Sequence, residues 1–350
     1  MPTVRAVVHI GPMKTGTTAF AAAASEAQRA QTLPAGMVYP MGTLWFGDDR
    51  SVVKHHQLNA GAHGRPAARR ARERQQAGLD ELERALATAV DAARSRAAAT
   101  GAAEGAIVLV AEGLSHQKNP RRLTALLRRH VDRVDYVLVA RAQPRAIGSI
   151  LAHGVKDVGA PQRYRLDVSD HLARSARARR YDYAQIVERW RHDGAALHVL
   201  PFPEGAPGTT LLTDAVLDAV DLPRLPVAES LAAKRTHPSF SQEGLRELAR
   251  IKRQWRRLAW LPGAEERYQR RFAEAWERHH RAARRGEVAP WRLPPRDVRL
   301  VIAAYAESNQ RFRDLLAAEA DTPAWRDWFA LALGDEPTTP TPAPTPEESV

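Results

Sequence analysis

The stretch from residue 4 to residue 30 restricts the fold more than any other part of the chain. Residues 4–10 form an apolar run that reads as a buried strand. Residues 19–30 are alanine-rich and read as a helix. Between them lies a tight turn, His9-Ile10-Gly11-Pro12-Met13-Lys14-Thr15-Gly16-Thr17-Thr18. A strand that turns straight into a helix points the first free amides of that helix, and about half a positive charge of helix dipole, at whatever occupies the turn. This is a site for an anion, and for phosphate in particular. Gly16 permits close approach of the backbone, Thr15, Thr17 and Thr18 offer hydroxyl donors, and Lys14 adds a full charge. A Gly/Thr turn without a ligand is the bland alternative.

The place of the lysine narrows the choice. The general nucleotide-triphosphate loop, G-x-x-x-x-G-K-[ST], has lysine directly after the second glycine. Gly11 and Gly16 keep that spacing, but Thr17 stands in the lysine position and Lys14 precedes Gly16 by two. The run resembles the P-K-[ST]-G-T-T loop of sulfotransferases, with Pro12 one place upstream.

A second segment makes the same comparison independently. Residues 134–140 are another apolar strand pattern, which runs into Arg141-Ala142-Gln143-Pro144 and reaches Ser149 eight positions after the arginine. An arginine fork and a hydroxyl on the following helix suit one phosphate; an ordinary solvated corner is the alternative. The segment resembles the sulfotransferase corner that binds the 3′-phosphate of 3′-phosphoadenosine 5′-phosphosulfate (PAPS). The resemblance implies that role for Arg141 and Ser149.

A third apolar run, residues 106–111, ends at Glu112. In a parallel sheet it shares the carboxyl rim with Lys14 and Arg141, where ligands of such sheets bind. Ala111-Glu112-Gly113-Leu114-Ser115-His116 resembles the branch of sulfotransferases, carbohydrate enzymes among them, that uses glutamate as the base. A helix cap or an arginine partner is the alternative for Glu112. His116, His55 and His56 compete as base or as acceptor-binding groups, while His9 reads as a satisfied core histidine. The thirteen histidines show no zinc spacing.

Composition adds boundaries. With 350 residues, 44% hydrophobic, the chain can bury a sizeable core. Having no cysteine, it has no disulfide, thiolate nucleophile or iron–sulfur site. No signal-like or membrane-length apolar run is present, so a cytoplasmic protein without a membrane span is expected. The net charge of +12 would attract nucleic acid, anionic glycans or lipid heads. Its arginine- and alanine-rich character also fits a compositional bias, and no nucleic-acid module is present, so no nucleic-acid partner is expected.

Strand and helix patterns alternate, which predicts an α/β fold: a P-loop-like three-layer arrangement with a central, mostly parallel sheet flanked by helices. Residues 1–334 read as one domain with helical insertions at about 50–100 and 253–292, and the Pro/Thr-rich residues 335–350 as a disordered tail. Leu79, Leu82, Leu86 and Val90 mark one face of a helix. Residues 153–180 lack periodicity and could cover an acceptor site. Trp190, Gly194, Pro201 and Phe202 again follow a pattern similar to bacterial sulfotransferase-like proteins. By the same resemblance Lys234 and Arg235 belong to a late basic loop that closes over the 3′-phosphate; a solvated loop is the alternative. Trp255, Trp260, Trp276 and Trp291 are expected to pack.

The resemblance therefore implies a PAPS-dependent sulfotransferase acting on a hydroxyl or amine of a small-molecule or glycan acceptor, with no metal required. Lys14 and Glu112 would be catalytic. Lys14, Thr15, Gly16, Thr17, Thr18, Arg141, Ser149, Lys234 and Arg235 would hold the cofactor. His55, His56 and His116 would meet the acceptor. A P-loop kinase or NTPase and a non-catalytic polyanion binder stay open as alternatives.

Overall fold

The computed structural model of the chain describes residues 1–41, 55, 58–59, 69–174, 179–203, 210–226 and 240–334. Five strands, β1 (Thr3–His9), β2 (Met37–Val38), β3 (Glu104–Val110), β4 (Arg133–Ala140) and β5 (Ala196–Pro201), form one sheet in the order β2-β3-β1-β4-β5. Every pairing is parallel. Parallel strands need crossover connections, and here helices provide them on both faces.

Alternation along each strand explains the three layers. Val4, Ala6 and Val8 point to one face with Ile107, Leu109, Tyr136 and Leu138. That face is covered by α2 (Arg69–Thr100), α3 (Pro120–Leu127), α6 (Tyr183–Trp190), α10 (Pro295–Leu316) and α11 (Pro323–Leu333). Val7, Val108, Val110, Val137 and Val139 point the other way, under α1 (Thr17–Arg29) and α7 (Thr210–Asp218). Strands buried on both sides read as continuous apolar runs.

α4 (Gln143–Lys156) leaves β4, and the short α5 (Val168–Ala173) follows it. α8 (Gln242–Leu258) and α9 (Ala264–Arg284) make a hairpin with its own apolar cluster, which includes Leu245, Leu248, Tyr268 and Phe272. Among the described residues, no helix is long and apolar enough to cross a membrane.

Several boundaries differ from the sequence reading. The helix whose face Leu79, Leu82, Leu86 and Val90 mark begins at Arg69, well before that stripe, within the insertion expected at about 50–100. Residues 153–156 prolong α4, and α5 breaks the region expected to lack regular structure. α11 had no counterpart in the sequence reading; it is anchored where the Trp328 indole N–H donates to the Ala140 carbonyl at 2.9 Å. Trp260 does not pack: it is 79% exposed. The tail, residues 335–350, lies outside the described residues.

Candidate anion-binding site

The strand order places the turns that follow β1, β3 and β4 side by side. β1 lies between β3 and β4, and the chain passes from one side of it to the other between β3 and β4. This is a topological switch point, the usual ligand position in an open parallel sheet. His9 is level with Val110 on one side and Val137 on the other.

The turn after β3 is fastened along the turn after β1 by main-chain bonds. Ala111 N–H donates to the His9 carbonyl at 3.1 Å, Gly113 N–H to Gly11 at 3.0 Å and Ser115 N–H to Ile10 at 2.9 Å. Glu112 is thereby held beside Gly11. The corner after β4 is fastened as directly. The Arg141 guanidinium donates to the Lys14 carbonyl at 3.2 Å and lies 4.6 Å from the centre of the Phe202 ring. The Tyr183 hydroxyl accepts from the Arg141 N–H at 2.9 Å and donates to its carbonyl at 2.8 Å, which fixes the main chain there. Lys14, Glu112 and Arg141 thus share one rim of the sheet. Ser149 lies two turns along α4 from that corner and is half-buried.

The turn itself has a strained backbone. Lys14 has φ 69° and Gly16 φ 79°. Left-handed residues interspersed with ordinary ones gather successive N–H groups on one side of a loop. Gly16 is the N-cap of α1, and no side chain caps that helix, in contrast to α3 and α6, whose first turns bond Asn119 and Asp182. The Thr17 hydroxyl is buried and has no partner among the described residues. A buried hydroxyl without a partner costs about 1–3 kcal/mol, and an anion on the helix N-terminus would relieve it. Thr15 differs from expectation. Its side chain is fully buried and its hydroxyl donates to the Pro12 carbonyl at 2.7 Å, so it braces the turn rather than facing a ligand.

Two glycines are sterically required. A Cβ on Gly11 would come within 2.4 Å of Thr15 Oγ1, and one on Gly16 within 1.9 Å of Leu212 Cδ2. Gly16→Ala adds this clash to the left-handed backbone cost and is expected to lower stability by about 2–4 kcal/mol. Gly113→Ala is the control. It has φ 79° but open space, the nearest atom being His116 Cδ2 at 3.9 Å, and should cost only about 1–2 kcal/mol. Urea titration of the two variants checks the difference.

The histidines divide. His55 is fully buried and both ring nitrogens serve the main chain: Nδ1 accepts from Val110 N–H at 2.9 Å, and Nε2 donates to the Pro40 carbonyl at 3.0 Å. That pattern fixes a neutral tautomer in a bracing role and leaves no ring nitrogen for an acceptor. His116 stands on the rim with a buried Nε2 that has no partner among the described residues. Burial, then repulsion by Arg180 and Arg189, brings its pKa down to about 4 against the opposing pull of Glu112. It is neutral at physiological pH. His9 is buried beneath the turn, stacked on Phe20 at 5.9 Å, yet neither ring nitrogen has a partner among the described residues, so it departs from the satisfied core residue expected. Burial lowers its pKa to about 4 as well, again opposed by Glu112. His56, Lys234 and Arg235 lie outside the described residues.

Three groups absent from the sequence reading complete the rim. The Tyr181 hydroxyl donates to the Met13 carbonyl at 3.2 Å, Arg180 approaches Met13 Sδ at 3.9 Å, and Tyr183 clamps Arg141 as described. Their signal was two tyrosines flanking Asp182, at the end of the segment expected to cover the site. Lys156, at the end of α4, feels the charge of Lys14; burial first, then that repulsion, lowers its pKa to about 8. A groove of about 450 Å³ opens beside it, lined by Lys156, Phe272, Trp276 and Glu277.

No protein-family model matches this chain, and no curated protein matches it.

Proposed function

We propose that this protein is a sulfotransferase that moves the sulfuryl group of PAPS to a hydroxyl or amine. The observation that carries this reading is the Arg141–Lys14 hydrogen bond. It joins the two turns that the motif resemblance picks out separately, so one bisphosphate can span both. The cradle fits such a donor in three respects: an uncapped helix N-terminus, the unpartnered Thr17 hydroxyl and the guanidinium held on Phe202.

In this P-loop-like site, Lys14 and the α1 amides hold the 5′-phosphate end, while Arg141 and Ser149 take the 3′-phosphate. Glu112 accepts the proton of the acceptor O–H or N–H as that atom forms its bond to sulfur. The bond between sulfur and the bridging phosphate oxygen breaks, its electron pair stays on that oxygen, and Lys14 stabilises the charge that develops. Glu112 acts as the base, held beside the first turn by the Gly113 N–H bond to the Gly11 carbonyl. The groove beside Lys156 is the approach for the acceptor.

Glu112→Gln removes the base and keeps the shape. It is expected to leave binding of adenosine 3′,5′-bisphosphate unchanged and to reduce turnover by about 10²–10⁴-fold. Transfer of labelled sulfate from PAPS to pooled acceptors, read by mass spectrometry, is the test. Unchanged turnover would move the base to His116, and a donor preference for ATP with magnesium would replace this reading by a kinase or NTPase.

A further inference from the structure

We propose that the tip of the α8–α9 hairpin docks on an anionic lipid surface. Leu258, the last residue of α8, is 48% exposed, and Trp260, in the connection to α9, is 79% exposed; both lie outside the apolar clusters of the described residues. Trp260 is held in place, since its indole N–H donates to the Arg257 carbonyl at 3.1 Å. Behind it, Trp255 and Tyr268 pack ring on ring at 5.2 Å and close the hairpin.

Arginines surround this apolar tip. Leaving aside the buried Lys252, α8 carries five arginines against two glutamates, and α9 six against four. Arg253, Arg256, Arg257, Arg267, Arg270 and Arg271 are all exposed near the tip. The two acidic residues closest to it, Glu265 and Glu266, sit in the first turn of α9, where they offset the helix dipole.

The combination selects the partner. Guanidinium groups alone would serve a nucleic acid or a sulfated polymer equally well. A tryptophan also stacks on an unpaired base, but the exposed leucine beside it gains nothing from such a polymer, and both side chains gain by entering the boundary between lipid headgroups and acyl chains. Arginines around them add attraction to anionic heads. The hairpin does not span the bilayer; it rests on it. The inference is independent of the donor site, because neither Lys14 nor Arg141 takes part.

Flotation of the full chain with lipid vesicles tests it. The protein should float with phosphatidylcholine vesicles that contain phosphatidylserine and remain behind with phosphatidylcholine alone. Trp260→Ser should lower the vesicle partition about tenfold, with no change in melting temperature because the side chain lies outside the core. Leu258→Ser should act in the same direction, and Arg257→Glu should lower binding most at low salt. Absence of flotation overturns the proposal. So does flotation that Trp260→Ser and Leu258→Ser leave intact while single-stranded oligonucleotide displaces the vesicles, which would identify a polyanion surface.

Discussion

On the proposed function, adenosine 3′,5′-bisphosphate should stabilise the wild-type protein against heat, and Arg141→Ala is expected to abolish that stabilisation. The guanidinium has two functions in this site. It would bond a phosphate, and it already bonds the Lys14 carbonyl at 3.2 Å, which holds the left-handed residue of the first turn. Removing it takes away a charge-assisted contact worth about 1.5–3 kcal/mol and loosens the turn that presents the other contacts. The expected loss of affinity is about 100-fold. At a ligand concentration near the wild-type Kd, where the stabilisation is about RT ln 2, a site about 100-fold weaker leaves almost none of it. Lys14→Ala should lose a similar amount through its charge alone. Arg141→Lys should not rescue, because an ammonium cannot reproduce a fork that reaches a phosphate, a carbonyl and a ring face together. The measurement is a thermal shift series with the bisphosphate and with ATP plus magnesium. Stabilisation by the bisphosphate that survives both Lys14→Ala and Arg141→Ala would remove the basis for a donor site here.

The parts of this site that the sequence reveals are those that depend on neighbours along the chain. β1, β3 and β4 are legible because both of their faces are buried, which forces near-continuous apolar runs. The turn at Gly16 is legible because a left-handed N-cap favours glycine. What is hidden depends on contacts distant in sequence. Thr15 turns inward to Pro12, a matter of turn geometry that its residue type does not disclose. His55 fills its ring hydrogen bonds across the 55 residues that separate it from Val110, so it reads in sequence as a free imidazole and in the fold as a brace. His9 shows the reverse: an apolar strand position suggested a satisfied core residue, yet the packing around Gly11 and Phe20 leaves its ring nitrogens without partners among the described residues. Trp255 and Trp276 pack in the hairpin as expected, whereas Trp260 falls after the end of α8 and loses the helical stripe that buries the other two. Tyr181 and Tyr183 gain their importance from Met13 and Arg141, which lie far away in the chain.

Lys252→Met should unfasten the segment that joins the sheet to the hairpin. Lys252 is fully buried on α8, and its ammonium donates towards four carbonyl oxygens: Gly154 at 2.8 Å, Asp157 at 2.6 Å, Ala160 at 3.1 Å and Arg163 at 3.3 Å. Residues 154–163 therefore wrap around one charge much as a loop wraps around a metal cation. Methionine has similar length and supplies no donor, so it leaves buried carbonyls without partners. The expected cost is about 3–5 kcal/mol, the range for breaking a buried charged cluster from one side. Lys252→Arg should not restore the wrap, because a planar fork cannot converge on four oxygens that surround a point. Trypsin should then cut after Arg163 or Arg165 in the variant at concentrations that spare the wild type. The pH dependence has a definite sign. Burial, with repulsion from Arg163 and against the attraction of Asp157, lowers the Lys252 pKa from 10.5 to about 8. Below pH 8 both the folded and the unfolded chain hold the proton, and the burial penalty is complete. Between pH 8 and 10.5 the unfolded chain binds more protons than the folded one, so the contribution of this site to stability rises with pH. The stability gap between wild type and Lys252→Met is therefore expected to widen from pH 7 to pH 10 in parallel denaturant titrations. A gap that closes over that interval would show that the folded chain keeps the Lys252 proton rather than sheds it, and trypsin resistance equal to that of the wild type would show that the segment is held by its apolar contacts with the hairpin and not by the ammonium.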